Sequence, residues 1–332
     1  QDDTACVEGV CLPFGESPLG SLDRECAREP EPLESFDPEL QCAWPGEHEV
    51  DTPESTNVLV PPLVADLDRD GVPEIVFASN GPFPSWDPPR VRAIRGDTCE
   101  PLWTAAHVPA FYQPLAVAQI DDDEGLEVCG RASTGVPYCL DPDGSVLWEG
   151  HDDTGGAVAV DLHAPTITST AIVDVDGDGA AELVVGLSVF DGATGLFGGG
   201  VASPTAGTFY NWSIVPALAD GDGDGRVEAY TGGWVLDLGA DEPLVDWGTE
   251  HGYTAVAELS SDHEGPEVVA VSPASSVVRV HAADGSVIFQ HAVPGGAGGP
   301  PTVADLDGDG RAELATAGNY FLSAFDLSLI HI

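Results

Sequence analysis

The sequence predicts an all-β protein, a β-propeller of four-stranded antiparallel blades with six repeats visible. Three observations predict it. A segment of apolar strand, acidic loop and apolar strand recurs six times. A turn rich in Gly and Asp follows five of these segments. The strand after each turn carries one aromatic residue. Self-similarity at this period, filled with short strands and tight turns, is the pattern of propeller arrays.

The repeated segment reads PLVADLDRDGVPEIVFA from Pro62, AIVDVDGDGAAELVVG from Ala171, ALADGDGDGRVEAYTG from Ala217 and TVADLDGDGRAELATA from Thr302. Two worn copies are LAVAQIDDDEGLEVCG from Leu115 and AVAELSSDHEGPEVVA from Ala255. In chain order the six acidic loops, loops 1 to 6, begin at Asp66, Gln119, Asp174, Asp220, Glu258 and Asp305, at steps of 53, 55, 46, 38 and 47 residues.

The second landmark is the turn: Arg95-Gly96-Asp97, Asp141-Pro142-Asp143-Gly144, Asp191-Gly192, Gly239-Ala240-Asp241 and Asp284-Gly285. Gly and Asp tolerate the positive φ that hairpin turns demand. The aromatics that follow are Trp103, Trp148, Phe197, Trp247 and Phe289. Each repeat therefore supplies four short strands. A lone sheet of this kind cannot bury both faces, so neighbours must cover it, and the aromatics are expected between blades. Blades are expected to start near residues 62, 115, 171, 217, 255 and 302 of a propeller spanning 39–332. Residues 39–46, ELQCAWPG, resemble the aromatic strand that the sixth repeat lacks. They are expected to close the ring with Trp44; a closed six-bladed ring and a truncated seven-bladed one both fit.

The four clean loops share Asp-x-Asp-x-Asp-Gly-x-x-Glu. Their carboxylates are Asp66, Asp68, Asp70 and Glu74; Asp174, Asp176, Asp178 and Glu182; Asp220, Asp222, Asp224 and Glu228; and Asp305, Asp307, Asp309 and Glu313. Alternate acids on a tightly curled loop converge on one centre. Two carboxylates about 4 Å apart repel by roughly 1 kcal/mol in water and about 4 kcal/mol at an effective dielectric of 20, so four together call for a cation. The backbone carbonyl at position seven (Val72, Ala180, Arg226 or Arg311) and the Glu at position nine complete an all-oxygen shell. That shell suits Ca2+ and offers no sulfur or imidazole for zinc or copper. The expectation is about four strong calcium sites, and up to six. The worn loops are weaker candidates through Asp121, Asp123 and Glu127, and through Glu258, Asp262 and Glu267. An EF-hand needs a Glu at position twelve, at the start of a helix. Position twelve is Phe77, Val185, Thr231 or Thr316, inside a β-like run.

These loops resemble the FG-GAP or VCBS-type repeats, the propeller family that includes the integrin α-subunit head. VADLDGDGRAEL at 303–314 and VDVDGDGAAEL at 173–183 carry the resemblance, which extends over about residues 57–327. It implies that each loop joins two strands of a blade and that calcium stiffens it.

Charge narrows the partners. The chain has 57 acidic residues against 10 basic ones, a net charge of −47. Nucleic acid and anionic membranes would be repelled, and no apolar stretch is long enough for a transmembrane helix. The first residue is Gln1 and no signal peptide is present; a mature form or a fragment is expected. The cysteines are Cys6, Cys11, Cys26, Cys42, Cys99, Cys129 and Cys139. Four of them fall in the first 42 residues and read as a disulfide-stapled leader or stalk over 1–38, hence an oxidising compartment. Cys129 and Cys139 flank a turn and are placed to bridge neighbouring strands.

Catalytic signatures (HExxH, Gly-x-Ser-x-Gly, P-loop) do not occur. Arg95-Gly96-Asp97 spells an integrin-recognition tripeptide but occupies a repeated turn where Gly and Asp are expected anyway. The reading is a secreted or cell-surface monomer, not an enzyme, that binds protein or glycan on a loop face. The alternatives are a lyase-type polysaccharide enzyme and a purely structural spacer.

Overall fold

A computed structural model of the protein describes residues 4–7, 10–13, 39–44, 55–81, 89–105, 109, 114–121, 123–160, 167–200, 213–238, 245–248, 252–259, 263, 265–306, 308 and 310–327. The chain forms two compact units, Gln1–Gln41 and Cys42–Ile332. The first holds an antiparallel hairpin, Thr4–Val7 with Val10–Pro13, in which Cys6 and Cys11 are register partners.

The second unit is a succession of antiparallel sheets, one per repeat. Sheet 1 runs through Glu74–Asn80, Arg90–Arg95 and Pro101–Thr104. Its first position is shared by two short strands, Asn57–Val58 and Leu63–Ala65, on the same edge of Glu74–Asn80. Sheets 2 to 5 have four strands each in sequential order. Sheet 2 is Ala116–Ala118, Glu127–Arg131, Pro137–Leu140 and Val146–Glu149; sheet 3 is Thr170–Val173, Glu182–Val185, Ser188–Asp191 and Phe197–Gly200. Sheet 4 is Ala217–Ala219, Glu228–Tyr230, Trp234–Asp237 and Val245–Asp246; sheet 5 is Tyr253–Ala257, Glu267–Ser272, Val277–His281 and Val287–Ala292. Sheet 6 has three described strands, Thr302–Ala304, Glu313–Ala317 and Leu322–Phe325. A short parallel pair, Ile167–Thr168 with Ser213–Ile214, lies outside these sheets.

Every second strand is buried along nearly its whole length. A strand covered on both faces needs a continuous apolar run rather than alternation. ELVV at 182–185 and EVVAVS at 267–272 supply it. The cores between sheets form a relay. Val76, Val91 and Val128 pack sheet 1 on sheet 2. Trp148, Leu183, Phe190 and Leu236 continue through sheets 2, 3 and 4. Tyr230 and Val268 join sheets 4 and 5, and Val280 and Leu314 join sheets 5 and 6.

Four of the five aromatics after the turns stand between sheets, as expected, while Phe197 meets Phe190 of its own sheet at 5.4 Å. Trp103 of sheet 1 donates its indole N–H to Pro142 O of the sheet 2 turn at 2.8 Å. Trp148 of sheet 2 donates to Gly192 O of the sheet 3 turn at 2.7 Å. Trp247 stacks on His281 of sheet 5, centroids 4.6 Å apart, and Phe289 meets Phe325 of sheet 6 at 5.8 Å. The indoles lie flat on the turns: a Cβ on Gly144 or Gly195 would come within 2.6 or 2.4 Å of the ring above it.

Residues 39–44 of the expected ring-closing segment form no strand. Trp44 packs edge-on against Phe77 at 4.8 Å and lies 5.4 Å from the Arg92 guanidinium, both in sheet 1. Positions 45–46 lie outside the described residues. Cys42 is not part of a leader staple, because it is disulfide-bonded to Cys99 beside the sheet 1 turn. The Cys129–Cys139 bridge is formed between directly paired residues of adjacent strands.

Candidate metal centres

Each acidic loop connects the first and second strands of its sheet, and its closing Glu, at position nine or, in the one-residue-longer loop 5, at position ten, is the first residue of the second strand. The rejection of an EF-hand holds, since a strand follows every loop. In all six loops that Glu reaches back and its Oε2 accepts the backbone N–H of position two. The distances are 2.8 Å (Leu67 to Glu74), 2.9 Å (Ile120 to Glu127), 2.8 Å (Val175 to Glu182), 2.8 Å (Gly221 to Glu228), 2.7 Å (Leu259 to Glu267) and 2.6 Å (Leu306 to Glu313). Glu74, Glu127, Glu228, Glu267 and Glu313 are buried. A buried carboxylate with one oxygen on a backbone donor keeps its other oxygen for a second positive partner.

The clean loops are wound by their own carboxylates. The position-one Asp accepts the N–H of the position-six glycine, at 3.0 Å for Asp66, 2.9 Å for Asp174, 3.0 Å for Asp220 and 3.0 Å for Asp305. The position-five Asp accepts the position-seven N–H at 2.8 Å for Val72, 2.7 Å for Ala180 and 2.9 Å for Arg226. Both position four and position six have positive φ. Position four is Gly177, Gly223 or Gly308 in three loops and Arg69, at φ 57°, in loop 1. The loops are also joined to one another: Leu126 N–H of loop 2 donates to Leu67 O of loop 1, and Val227 N–H of loop 4 to Val175 O of loop 3, each at 2.9 Å.

Among the described residues four groups of carboxylates converge so that one oxygen from each residue lies within 4.8 Å of the others. In loop 4 all four predicted acids meet, Asp220, Asp222, Asp224 and Glu228. In loop 1 the group is Asp66, Asp68 and Asp70, without Glu74; in loop 3 it is Asp174, Asp176 and Glu182, without Asp178. In loop 2 Asp121 and Asp123 are joined by Asp141, which the sequence did not single out as a ligand, without Glu127. Asp307, Asp309 and Asp262 lie outside the described residues. In loop 6 Asp305 and Arg311 flank those positions, with Glu313 buried behind them; in loop 5 Glu258 is exposed while Glu267 is buried.

Several acidic clusters can thus hold metal ions, and the donor set fits a hard cation. Asp66 Oδ1 and Glu74 Oε1 of loop 1 and Glu127 Oε1 of loop 2 are buried without a hydrogen-bond partner. Such oxygens are costly unless something positive meets them. Burial, and then the charges of the neighbouring loop aspartates, hold the carboxyls of Glu74, Glu182 and Glu228 above their usual range. Glu127 is pushed up to about 7 by burial first, with Asp121 and Asp123 adding to it.

The Arg95-Gly96-Asp97 tripeptide serves the turn. Arg95 pairs with Asp97 at 3.1 Å and with Asp70 of loop 1 at 3.2 Å. Gly96 N–H donates to Pro73 O at 2.9 Å.

No protein-family model matches the sequence, and no curated protein matches it. Among solved structures the chain is similar to the V. cholerae biofilm matrix protein Bap1, at 22% identity and a TM-score of 0.59, over 80% of this chain and 44% of that one. It is also similar to the rhamnogalacturonan lyase YesW, at 16% identity and a TM-score of 0.55, over 81% and 56%. A Bacillus licheniformis rhamnogalacturonan lyase follows at 18% and 0.54, again over 81% and 56%. The chain spans about half the length of these proteins. At such identities the likeness concerns the fold, and the shared fold is propeller-like.

Proposed function

We propose that the chain is a secreted or cell-surface propeller of FG-GAP/VCBS-type repeats, stiffened by calcium, that works as an interaction scaffold rather than as an enzyme. One observation carries the calcium reading: the same Glu, held by the same backbone donor, stands behind the acidic loop of all six repeats and is buried in five of them. Six- to eight-fold oxygen coordination by carboxylates and carbonyls is calcium chemistry. Because loop 2 is hydrogen-bonded to loop 1 and loop 4 to loop 3, an ion in one loop of each pair also braces its neighbour. Two disulfides support an oxidising, extracellular setting. Six repeats lie in this chain.

The scaffold reading draws on Bap1, whose name places it in a biofilm matrix, and on the net charge of −47, which leaves neutral glycans and basic proteins as partners. A lyase reading is favoured by a separate observation. Arg90 Nη1 and Arg131 Nε are buried without an acceptor, and acidic sugars are substrates that such groups would hold. A glycan array combined with an assay for unsaturated products from rhamnogalacturonan separates the two. Binding without cleavage supports the scaffold; product formation overturns it. Calorimetric titration of the chelator-stripped protein tests the metal: absence of heat at millimolar calcium would sink the calcium reading.

A further inference from the structure

Loop 2 departs from the clean pattern at two places that the tertiary structure links. Position one is Gln119, so one carboxylate is missing, and glycine stands at position seven, Gly125, with Glu124 at position six. A carboxylate arrives from outside the loop. The ladder pairs Leu140 with Val128, which sets Asp141, one residue on, opposite Glu127. Oxygens of Asp121, Asp123 and Asp141 then lie within 4.8 Å of one another.

The shifted glycine is what admits the turn that carries Asp141. A Cβ on Gly125 would stand 2.0 Å from Pro142 Cγ. From the other side the turn is held by the Trp103 N–H on Pro142 O at 2.8 Å. A second, independent sign of a ligand lies beneath the cluster. Glu127 is fully buried, at 0% exposure. The charges of Asp121 and Asp123 act on it. Its Oε2 takes the Ile120 N–H, and its Oε1 has no hydrogen-bond partner.

Other sheets use the equivalent turn position for other contacts. Arg95 donates to Asp70. Asp191 accepts the N–H and hydroxyl of Thr194. Asp237 Oδ1 lies 3.6 Å from Arg226 Nε. Asp141 Oδ2 accepts the Ser145 hydroxyl at 3.0 Å, which orients the carboxylate without neutralising it. We infer that loop 2 is a divalent-cation site of the calcium class in which Asp141, from the neighbouring turn, replaces the missing first carboxylate and joins Asp121, Asp123 and Glu127. This rests on the calcium reading of the clean loops and extends it to a loop that the motif alone would discard.

The test is calcium calorimetry on the whole chelator-stripped protein, paired with terbium luminescence excited through tryptophan, since Trp103 lies on the turn at this site. Asp141→Asn is expected to remove one site or weaken it at least tenfold and to lower the terbium emission. Trp103→Phe should lower the emission while the calorimetric site remains. Asp123→Asn should remove the same site, and the double variant should lose no more than either single one. Gln119→Asp placed in the Asp141→Asn protein should restore it. Unchanged sites in Asp141→Asn would overturn the inference, as would independent losses from Asp141→Asn and Asp123→Asn. Asp222→Asn in loop 4 separates the two readings. If it removes a site while Asp141→Asn does not, only the loop 2 inference falls. If the unmodified protein binds no calcium, both fall.

Discussion

Loops 4 and 2 each gather an acidic cluster, by different means. Loop 4 is complete within its own nine residues: three aspartates and Glu228 converge, and glycines at positions four and six supply the positive φ that the curl needs. Loop 2 has lost its first acid and displaced its glycine, and its cluster is finished by a residue 22 positions further on in the chain (Gln119 to Asp141). Common to both is the buried Glu at position nine, which converges with the aspartates in loop 4 and lies outside the group of three in loop 2. The outer carboxylates can come from wherever the sheet register delivers them.

The largest effect expected from this comparison is that of metal removal. If four loops each bind calcium present at ten times its dissociation constant, each contributes about 1.4 kcal/mol. Their loss together is a large part of a net stability of about 5–15 kcal/mol. Chelator should therefore lower the melting temperature by roughly 10 °C or more, by calorimetry or circular dichroism. No shift would break the comparison at its base, since both loops would then be surface ornament.

Next in size is position seven. Gly125→Ala forces a Cβ to within 2.0 Å of Pro142 Cγ, and overpacking of this sort costs about 1–3 kcal/mol. Arg226→Ala at the same position of loop 4 removes only an exposed contact with Asp237 and should change stability by less than about 0.5 kcal/mol. Denaturant melts of both variants measure this. Equal effects would mean that the turn in sheet 2 does not press on its loop.

Protonation sharpens the comparison further. Without metal, Glu127 is pushed up to about 7, and the folded state holds that proton more tightly than the unfolded chain does. Its contribution is full below the ordinary carboxylate range and is lost as pH rises through about 7. In chelator, stability should fall between about pH 5 and pH 8, and Glu127→Gln should remove part of that slope. Glu228 is raised in the same direction, so Glu228→Gln should act with the same sign. A slope of opposite sign would show that the metal-free carboxylates are not buried as described.

The smallest effect concerns Arg69, the non-glycine residue at position four of loop 1 with φ 57°. Arg69→Gly should relieve strain and stabilise the protein by about 1 kcal/mol, seen as a small rise in denaturation midpoint.

Much of the site was legible in the sequence because its ligands are local. Asp220, Asp222, Asp224 and Glu228 sit within nine residues, so their spacing already encodes convergence. The reach of Glu228 to Gly221 N–H follows from a loop closing on the strand that it begins. Asp141 was read only as a turn residue, since its nearness to Asp121 depends on strand register in sheet 2 and on what Gly125 lets through. The signal was present as a glycine one place late beside an Asp-Pro turn, but its meaning is three-dimensional. Cys42 was misread for the same reason. Its neighbours in sequence are leader cysteines, while its partner Cys99 is 57 residues away and brought to a Cα distance of 5.7 Å by the fold.

By itself, then, the sequence determined the repeat, the strand-loop-strand unit and the acidic loops, because each is fixed by periodicity and by backbone demands within a few residues. The tertiary structure alone decided which aromatic covers which turn, that Trp44 clamps sheet 1, and that Asp141 enters loop 2. Those contacts join residues from different sheets or from distant turns, and only packing and register bring such residues together.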